Sequence, residues 1–323
     1  MTGQYRARTW QTLRVFDRPV SPACICVEES GIYREPKGLK ELVKQSWDMQ
    51  LAAKKADLAT KEPGSIFEIR PYGDGSLNAL YLGDKPKMWP GGAVTLVTWY
   101  GALGCAPLIL EVGETCFPMI DGLKDPAIRA LYDAQGISIP RPPLAVVTTA
   151  QTADNKLIMT VRGSRTNMYP DRVYGQGGNP MGLFDVEEHQ GSETQDEIMV
   201  PREKCLLDEM GFLGLIEDNE GLPNKPDLVG YLPVDMESGR IAELVRKRHA
   251  EGRSPNDAVD VEVVDRTDGG LIDYLVKQPP EHFCPPSQAM LVLYGNHTFG
   301  PDWTMSLKKK ADWLHEVPDN DRK

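Results

Sequence analysis

Two neighbouring carboxylates, Asp208 and Glu209, are the side chains of this sequence best suited to metal chemistry. They follow Cys205 by three and four positions, so on a helix over 198–210 all three side chains would share one face. Carboxylate oxygens are the ligands that Mg²⁺ and Mn²⁺ prefer, and Glu197 adds a third acidic group upstream. We therefore expect Asp208, Glu209 and Glu197 to hold such an ion, with Glu209 and Glu197 as catalytic carboxylates in the hydrolysis of a diphosphate.

The same acidic residues have a simpler use as solvated surface charges, which is the common role of charge clusters. In that case the chain is a partner-binding domain, and its thermal stability does not depend on Mg²⁺. A bound ion would stabilise the fold by mass action, so this alternative is open to a direct test.

The elements around these residues are expected to run from a glycine turn to a helix. The turn spans 176–182 and leads into an acidic loop over 185–197. The helix follows over 198–210, with Pro201 in its first turn, where a proline is tolerated, and Gly211 as its C-cap.

Apolar alternation and turn residues predict a set of strands with fewer helices between them. A hairpin is predicted over 144–162 through an Asp-Asn turn. The other strands are predicted at 65–70, 77–82, 94–99, 108–112, 228–234 and 259–264, and the other helices at 39–58, 271–277 and 287–294. This order of elements indicates an α+β or α/β/α fold rather than an all-helical one.

Composition narrows the classes of function. The 323 residues carry a formal net charge of −11, which argues against a nucleic-acid partner because phosphate backbones require clustered Lys and Arg. No apolar run is long enough to span a bilayer, and the N-terminus lacks the apolar stretch of a signal peptide. The six cysteines contain no Cys-x-x-Cys pair. We therefore expect a cytoplasmic protein with free thiols and no membrane partner.

The segment that ends at Gly211 resembles the box of the Nudix superfamily. That box reads Gly-x5-Glu-x7-Arg-Glu-aliphatic-x-Glu-Glu-x-Gly-aliphatic. The residues that fall close to it are Gly191, Glu197, Asp208, Glu209, Gly211 and Phe212. Lys204 stands at the Arg position, and Cys205 replaces a Glu that the family uses as a metal ligand. The spacing from Glu197 to Lys204 is one residue short.

The region before the box adds to the resemblance. The hairpin 144–162 is similar to the family's central strand pair, and Gly177-Gly178 is similar to its Gly-Gly turn. The resemblance implies that Gly177 and Gly178 contact substrate. It also implies that Arg162 and Arg165 bind the substrate phosphates, where a guanidinium can hold two oxygens at once.

The resemblance implies a fold and a division of the chain. Residues 139–300 would form a Nudix-like α/β/α sandwich, residues 1–138 a mixed α/β extension, and residues 301–323 a C-terminal tail. The N-terminal region, with Trp47 and the strand around Phe67, is similar to the front domain of divergent Nudix enzymes that hydrolyse UDP-glucose and UDP-galactose.

Two functions follow from the resemblance. The first is a Mg²⁺- or Mn²⁺-dependent hydrolase whose small-molecule substrate is a nucleoside diphosphate linked to another moiety, such as a UDP-sugar. The second is a catalytically degenerate Nudix fold that binds a nucleotide or a protein, because Cys205 removes one metal ligand. The base, the second moiety and the oligomeric state are left open.

Overall fold

The computed structural model describes residues 5–29, 37–73, 75, 77–88, 92–101, 107–116, 126–137, 142–164, 166, 168–180, 184–220, 224–252 and 258–316. The helices within these ranges are α1 Leu39–Lys61, α2 Pro126–Ala134, α3 Val186–Ile198, α4 Ser238–Ala250, α5 Asp268–Lys277, α6 Pro285–Phe299 and α7 Pro301–Lys308. The strands are β1 Tyr5–Arg6, β2 Trp10–Val20, β3 Ile25–Glu29, β4 Phe67–Tyr72, β5 Leu77–Leu82, β6 Lys85–Met88, β7 Gly92–Gly101, β8 Leu108–Cys116, β9 Ala145–Gln151, β10 Lys156–Arg162, β11 Val173–Tyr174, β12 Gln176–Gly178, β13 Gly211–Asp218, β14 Lys225–Pro233, β15 Ala258–Asp265 and β16 His315–Glu316.

A ten-stranded mixed sheet forms the centre of the protein. Its main path runs β11-β10-β9-β14-β13-β2-β1-β16, while β12 pairs with β9 and β15 pairs with β10. Strands β9 and β14 are parallel neighbours, and the other pairs in this sheet are antiparallel. Both of these central strands are covered on both faces, which explains their nearly continuous apolar sequences.

Helices cover the sheet on both faces. Alternate residues of β9 point to opposite sides, so Val147 contacts the core beneath α5, α6 and α7, whereas Val146 contacts the core beneath α3 and α4. Helix α6 is buried almost throughout, from Pro285 to Gly295. The protein therefore has an α+β fold with an α/β/α sandwich at its centre, as the sequence predicts.

The N-terminal half adds two three-stranded sheets, β3-β8-β7 and β4-β5-β6, and helix α1. Helix α1 packs Trp47 against β4 and β5, and the Trp47 indole donates a hydrogen bond to the Asn78 carbonyl at 2.7 Å. These elements form the predicted mixed α/β extension. No helix among the described ranges combines the length and apolar character needed to cross a membrane.

The division of the chain at residue 139 stays a prediction, and residues 138–141 lie outside the described ranges. Two parts of the chain beyond the proposed sandwich nevertheless belong to its sheet. Strand β2 pairs with β13, and strand β16, from the predicted tail, pairs with β1. Leu314 of that tail is buried in the core.

The predicted helix over 198–210 is wrong, and so is the predicted loop over 185–197. The helix is α3, one helix length earlier. It begins after Asp185, whose side chain accepts a hydrogen bond from the Glu188 backbone N–H at 2.8 Å. The C-cap of α3 is Met199, which lies in the left-handed region. The helix does not continue beyond it, because Pro201 disfavours a helical conformation at Val200.

Candidate functional site

Strands β9 and β10 separate near their middle, and β12 fills the gap. The two strands pair directly only near Ala150 and Ile158. Beyond that point the buried side chain of Gln176 connects them: its amide oxygen accepts from the Ala150 N–H at 2.7 Å, and its amide nitrogen donates to the Ile158 carbonyl at 3.0 Å. One side chain thus replaces the missing backbone ladder and opens the sheet at this position.

The position after Gln176 requires glycine. Gly177 has φ of 148°, and a Cβ built on it would lie 1.9 Å from the Val146 carbonyl oxygen. Strand β12 approaches β9 so closely here that a side chain does not fit.

Helix α3 is fixed onto this opening by a polar side chain. Gln190 is fully buried, and its amide nitrogen donates to the Thr148 hydroxyl at 2.7 Å and to the Gln176 carbonyl at 2.9 Å. These contacts set the rotation of α3 about its axis, and therefore which of its side chains face the glycines of β12.

Two carboxylates of α3 face those glycines. Glu197 is 8% exposed, and its Oε2 accepts a hydrogen bond from the Gly177 N–H at 3.0 Å. Glu193 lies one turn earlier on the same face, with its carboxylate against Gly178, where a Cβ would lie 3.1 Å from Glu193 Oε1. Asp196, beside Glu197, is exposed. The arrangement is a pair of acids held against a strand of glycines.

Three of the predicted site residues meet here, namely Glu197, Gly177 and Gly178. Asp208 and Glu209 do not join them on a helical face, because they are exposed in a 3-10 turn over Leu207–Glu209. Within the described ranges, no three side chains of the types Asp, Glu, His and Cys are assembled to hold a metal ion. The predicted trio of ligands is therefore not brought together, and the roles of Asp208 and Glu209 stay a prediction.

Of the two arginines predicted to bind phosphate, Arg162 lies within the described ranges and Arg165 does not. Arg162 ends β10, and its guanidinium carbon lies 4.8 Å from the centre of the Tyr174 ring. Burial raises the pKa of Tyr174 well above its usual value, and the charge of Arg162 acts in the opposite direction. Arg165 lies outside the described ranges.

Cys205, which stands where the box has a metal-ligating Glu, is a packed thiol. It is buried in the core beneath α3 and α4, and its Sγ lies 3.8 Å from the Pro201 carbonyl. Burial raises the pKa of this thiol to about 11, so it stays protonated and chemically inert at neutral pH.

A buried charged cluster lies on the opposite face of the sheet, and the sequence analysis does not identify it. Asp218, Lys225 and Asp227 are almost completely buried where β13 ends and β14 begins. The Tyr169 hydroxyl donates to Asp218, and Lys225 forms an ion pair with Asp227. Burial raises the pKa of Asp227 to about 7, against the opposing effect of Lys225. An acidic residue inside an apolar strand is the sequence signal for such a group.

The pattern quoted above keeps its full spacing when its first glycine is placed on Gly178. Three of its four Glu positions then fall on acidic residues of α3, namely Glu193, Asp196 and Glu197. The positions that depart from the pattern are Phe184 for Glu, Ser192 for Arg, Thr194 for an aliphatic residue and Met199 for Gly. Met199 has φ of 62°, the conformation that favours glycine, so the backbone agrees with this register.

A shallow groove lies beside the start of α3. Phe184 contributes to it together with Ile25 and Val27 of β3. The Phe184 ring meets His189 edge-on at 5.7 Å between ring centres, and a His189 ring nitrogen lies 3.4 Å from the Gly178 carbonyl oxygen. Burial lowers the pKa of His189. The groove therefore connects to the glycine strand through one aromatic contact.

No family model and no curated protein matches the chain. Among solved structures, a crystal structure of DR0079 from Deinococcus radiodurans, a Nudix-family protein, is similar at 12% sequence identity and a TM-score of 0.30. The match covers 47% of this chain and 80% of that one. A structural similarity with this TM-score assigns no activity to the chain.

Proposed function

We propose that the protein is a Nudix-type hydrolase that uses Mg²⁺ or Mn²⁺ to cleave the diphosphate of a nucleoside diphosphate linked to another moiety. The observation that carries the proposal is the position of helix α3, which holds Glu193 and Glu197 one turn apart against Gly177 and Gly178. The box spacing counted from Gly178 reaches the same two acids and adds Asp196.

The donor set has the chemistry that such an ion requires. Glu193 and Glu197 offer carboxylate oxygens, which are the preferred ligands of Mg²⁺ and Mn²⁺, while Asp196 is exposed and does not complete a group of three within the described ranges. The missing side chain at Gly178 leaves space beside Glu193 Oε1 that a Cβ would fill. When bound, the ion would neutralise phosphate charge and lower the pKa of water.

The chain's own residues would orient these groups. The Gly177 N–H fixes one oxygen of Glu197, which sets the direction of its carboxylate. Arg162 is assigned to the substrate phosphates, in line with its place at the end of β10. A UDP-sugar is the substrate we favour, because of the similarity of the N-terminal region to the front domain of UDP-sugar hydrolases.

The test is turnover by the purified protein with UDP-glucose, ADP-ribose and NADH, each with Mg²⁺ and with Mn²⁺. Glu193→Gln and Glu197→Gln are expected to lower kcat by at least about a hundredfold, the range for loss of a general base or metal ligand. Asp208→Asn and Glu209→Gln are matched controls and should keep activity within a few-fold. If the controls abolish turnover while the α3 variants keep it, the site lies where the sequence first placed it. Absence of product with every substrate and both ions excludes the hydrolase.

A second candidate is a nucleotide-binding module without catalysis. The observation in its favour is that Phe184 and Ser192 stand where the pattern has Glu and Arg, and that Glu197 already accepts a backbone hydrogen bond. Calorimetric binding of UDP or ADP without turnover supports this candidate. A gain of hydrolysis in the Phe184→Glu, Ser192→Arg double variant would then identify these two departures as the cause.

A further inference from the structure

The C-terminal end of helix α3 has a backbone conformation that its residue disfavours. Met199 has φ of 62° and ψ of 24°, the left-handed conformation in which a Cβ crowds the following carbonyl. The Met199 N–H still donates to the Gln195 carbonyl at 3.1 Å, so the helix ends there in a tight turn. This turn comes two residues after Glu197, so its geometry sets the direction of the last helical turn.

A side chain from helix α4 holds this turn. The Arg248 guanidinium donates to the Asp196 carbonyl and lies 2.8 Å from the Met199 sulfur. One group therefore contacts both the last turn of α3 and the disfavoured residue after it. A cation at this position also complements the negative end of the helix dipole.

Arg248 also brings charge close to the acids of the site. It is half-buried, and burial lowers its pKa, while the carboxylates of Asp196 and Glu197 act in the opposite direction. The guanidinium keeps its charge at neutral pH because the ordinary pKa of arginine is so high. Its charge partly offsets the repulsion between neighbouring carboxylates at the end of α3.

We propose that Arg248 is a positioning residue for the α3 carboxylates, holding the Met199 turn and placing a positive charge beside Asp196 and Glu197. This inference rests on the proposed function for its effect on metal binding. Its structural part concerns only the hydrogen bond between Gly177 and Glu197, which can be measured without added metal.

The variants are Arg248→Met, which keeps the length of the side chain and removes its charge and donors, and Arg248→Lys, which restores the charge. Arg246→Met is the matched control, because Arg246 lies on the same helix but does not take part in these contacts. Its guanidinium forms an ion pair with Asp260 at 2.8 Å. Met199→Gly, alone and combined with Arg248→Met, removes the disfavoured conformation.

The first measurement is Mn²⁺ affinity of the full-length protein by calorimetry. Arg248→Met is expected to weaken it about tenfold, the lower range for residues that orient metal ligands. Arg248→Lys keeps the charge but loses the two-contact geometry of the guanidinium, so it should bind Mn²⁺ no more tightly than Arg248→Met, and Arg246→Met should stay within twofold. In the Met199→Gly background the loss on Arg248→Met should be smaller, because glycine holds the turn without help. The Arg248 charge by itself repels a divalent cation, so a weaker affinity can come only from lost positioning, and unchanged or tighter Mn²⁺ binding in Arg248→Met overturns the positioning of these carboxylates.

The second measurement is hydrogen exchange of the Gly177 amide, which does not depend on metal or turnover. Faster exchange in Arg248→Met than in Arg246→Met supports positioning even where the protein hydrolyses nothing. Equal exchange in the two variants overturns positioning even where the protein is an active hydrolase. The two failures are thus distinguishable, and Arg248→Lys serves where Arg248→Met does not fold.

Discussion

The Gly177 backbone N–H donates to the carboxylate of Glu197 at 3.0 Å, joining strand β12 to helix α3 through two residues twenty positions apart in the chain. The contact requires an unusual backbone at one partner and a specific helical rotation at the other. It places Glu197 under a backbone donor rather than in bulk solvent. The predictions below test the parts of the structure that maintain this contact.

Gly177→Ala is expected to destabilise the protein by about 3 kcal/mol, because a Cβ would collide with Val146 and the backbone has φ of 148°. Gly239→Ala is the matched control. A Cβ at Gly239, within α4, meets nothing within 4 Å, so this change is expected to stabilise by up to about 1 kcal/mol. Urea unfolding of both variants measures the difference, and equal losses would contradict the close approach of β12 to β9.

Gln176→Leu is expected to cost about 2 kcal/mol, because it leaves the buried Ala150 N–H without its acceptor, whereas the Ile158 carbonyl keeps the Thr149 hydroxyl as a donor. Gln195→Leu, at an exposed position of α3, provides the comparison and should change stability by less than about 0.5 kcal/mol. Guanidinium unfolding gives both values. An unchanged free energy of unfolding in Gln176→Leu would mean that β9 and β10 satisfy their backbone groups without the Gln176 amide.

Asp227 is expected to make the protein less stable as the pH rises from 4 to 7. Its pKa is raised from 3.8 to about 7 in the fold, first by burial, so the folded state favours the protonated acid. That stabilisation is complete below the unfolded pKa and is lost as the pH passes the folded pKa. The free energy of unfolding of the wild type, relative to Asp227→Asn, should therefore fall between about pH 4 and about pH 7. A parallel pH dependence in the two proteins would show that Asp227 does not titrate in this range.

Thiol reagents should separate the described cysteines into two classes. Cys24 and Cys26 are exposed, whereas Cys205 and Cys284 are buried and have raised thiol pKa values because of that burial. At pH 8 the exposed pair should be labelled first, and the buried pair only after addition of denaturant. Mass spectrometry of digested protein locates the labels, and early modification of Cys205 would contradict its place in the core.

The sequence predicts the central hairpin well because its signals are local. Strands β9 and β10 are rich in apolar residues. The turn between them contains Asn155, whose φ is 60°, a conformation that asparagine readily adopts. The long helix α1 and the strands β4 and β5 are predicted for the same reason. In each case the residues that decide the structure lie within one window of the sequence.

Helix α3 is missed because its buried face is largely polar. The side chains on that face are Val186, Gln190, Thr194, Glu197 and Ile198. A search for apolar periodicity passes over the three polar side chains, of which Gln190 and Glu197 bond to residues of β9 and β12. The apolar residues after Pro201 have a spacing more typical of a helix. The sequence therefore predicts the helix, and with it the candidate site, over 198–210. The tertiary hydrogen bonds of the Gln190 amide nitrogen are visible only in the folded protein.

The pairing of β2 with β13 has a consequence for how the protein is made. Strand β13 begins at Gly211, roughly 190 residues after β2 ends at Val20. At translation rates of about 5–20 residues per second, β2 leaves the ribosome about 10–40 s before its partner is synthesised. The central sheet is therefore completed late in synthesis, and the N-terminal strand waits as an unpaired edge until the second half of the chain arrives.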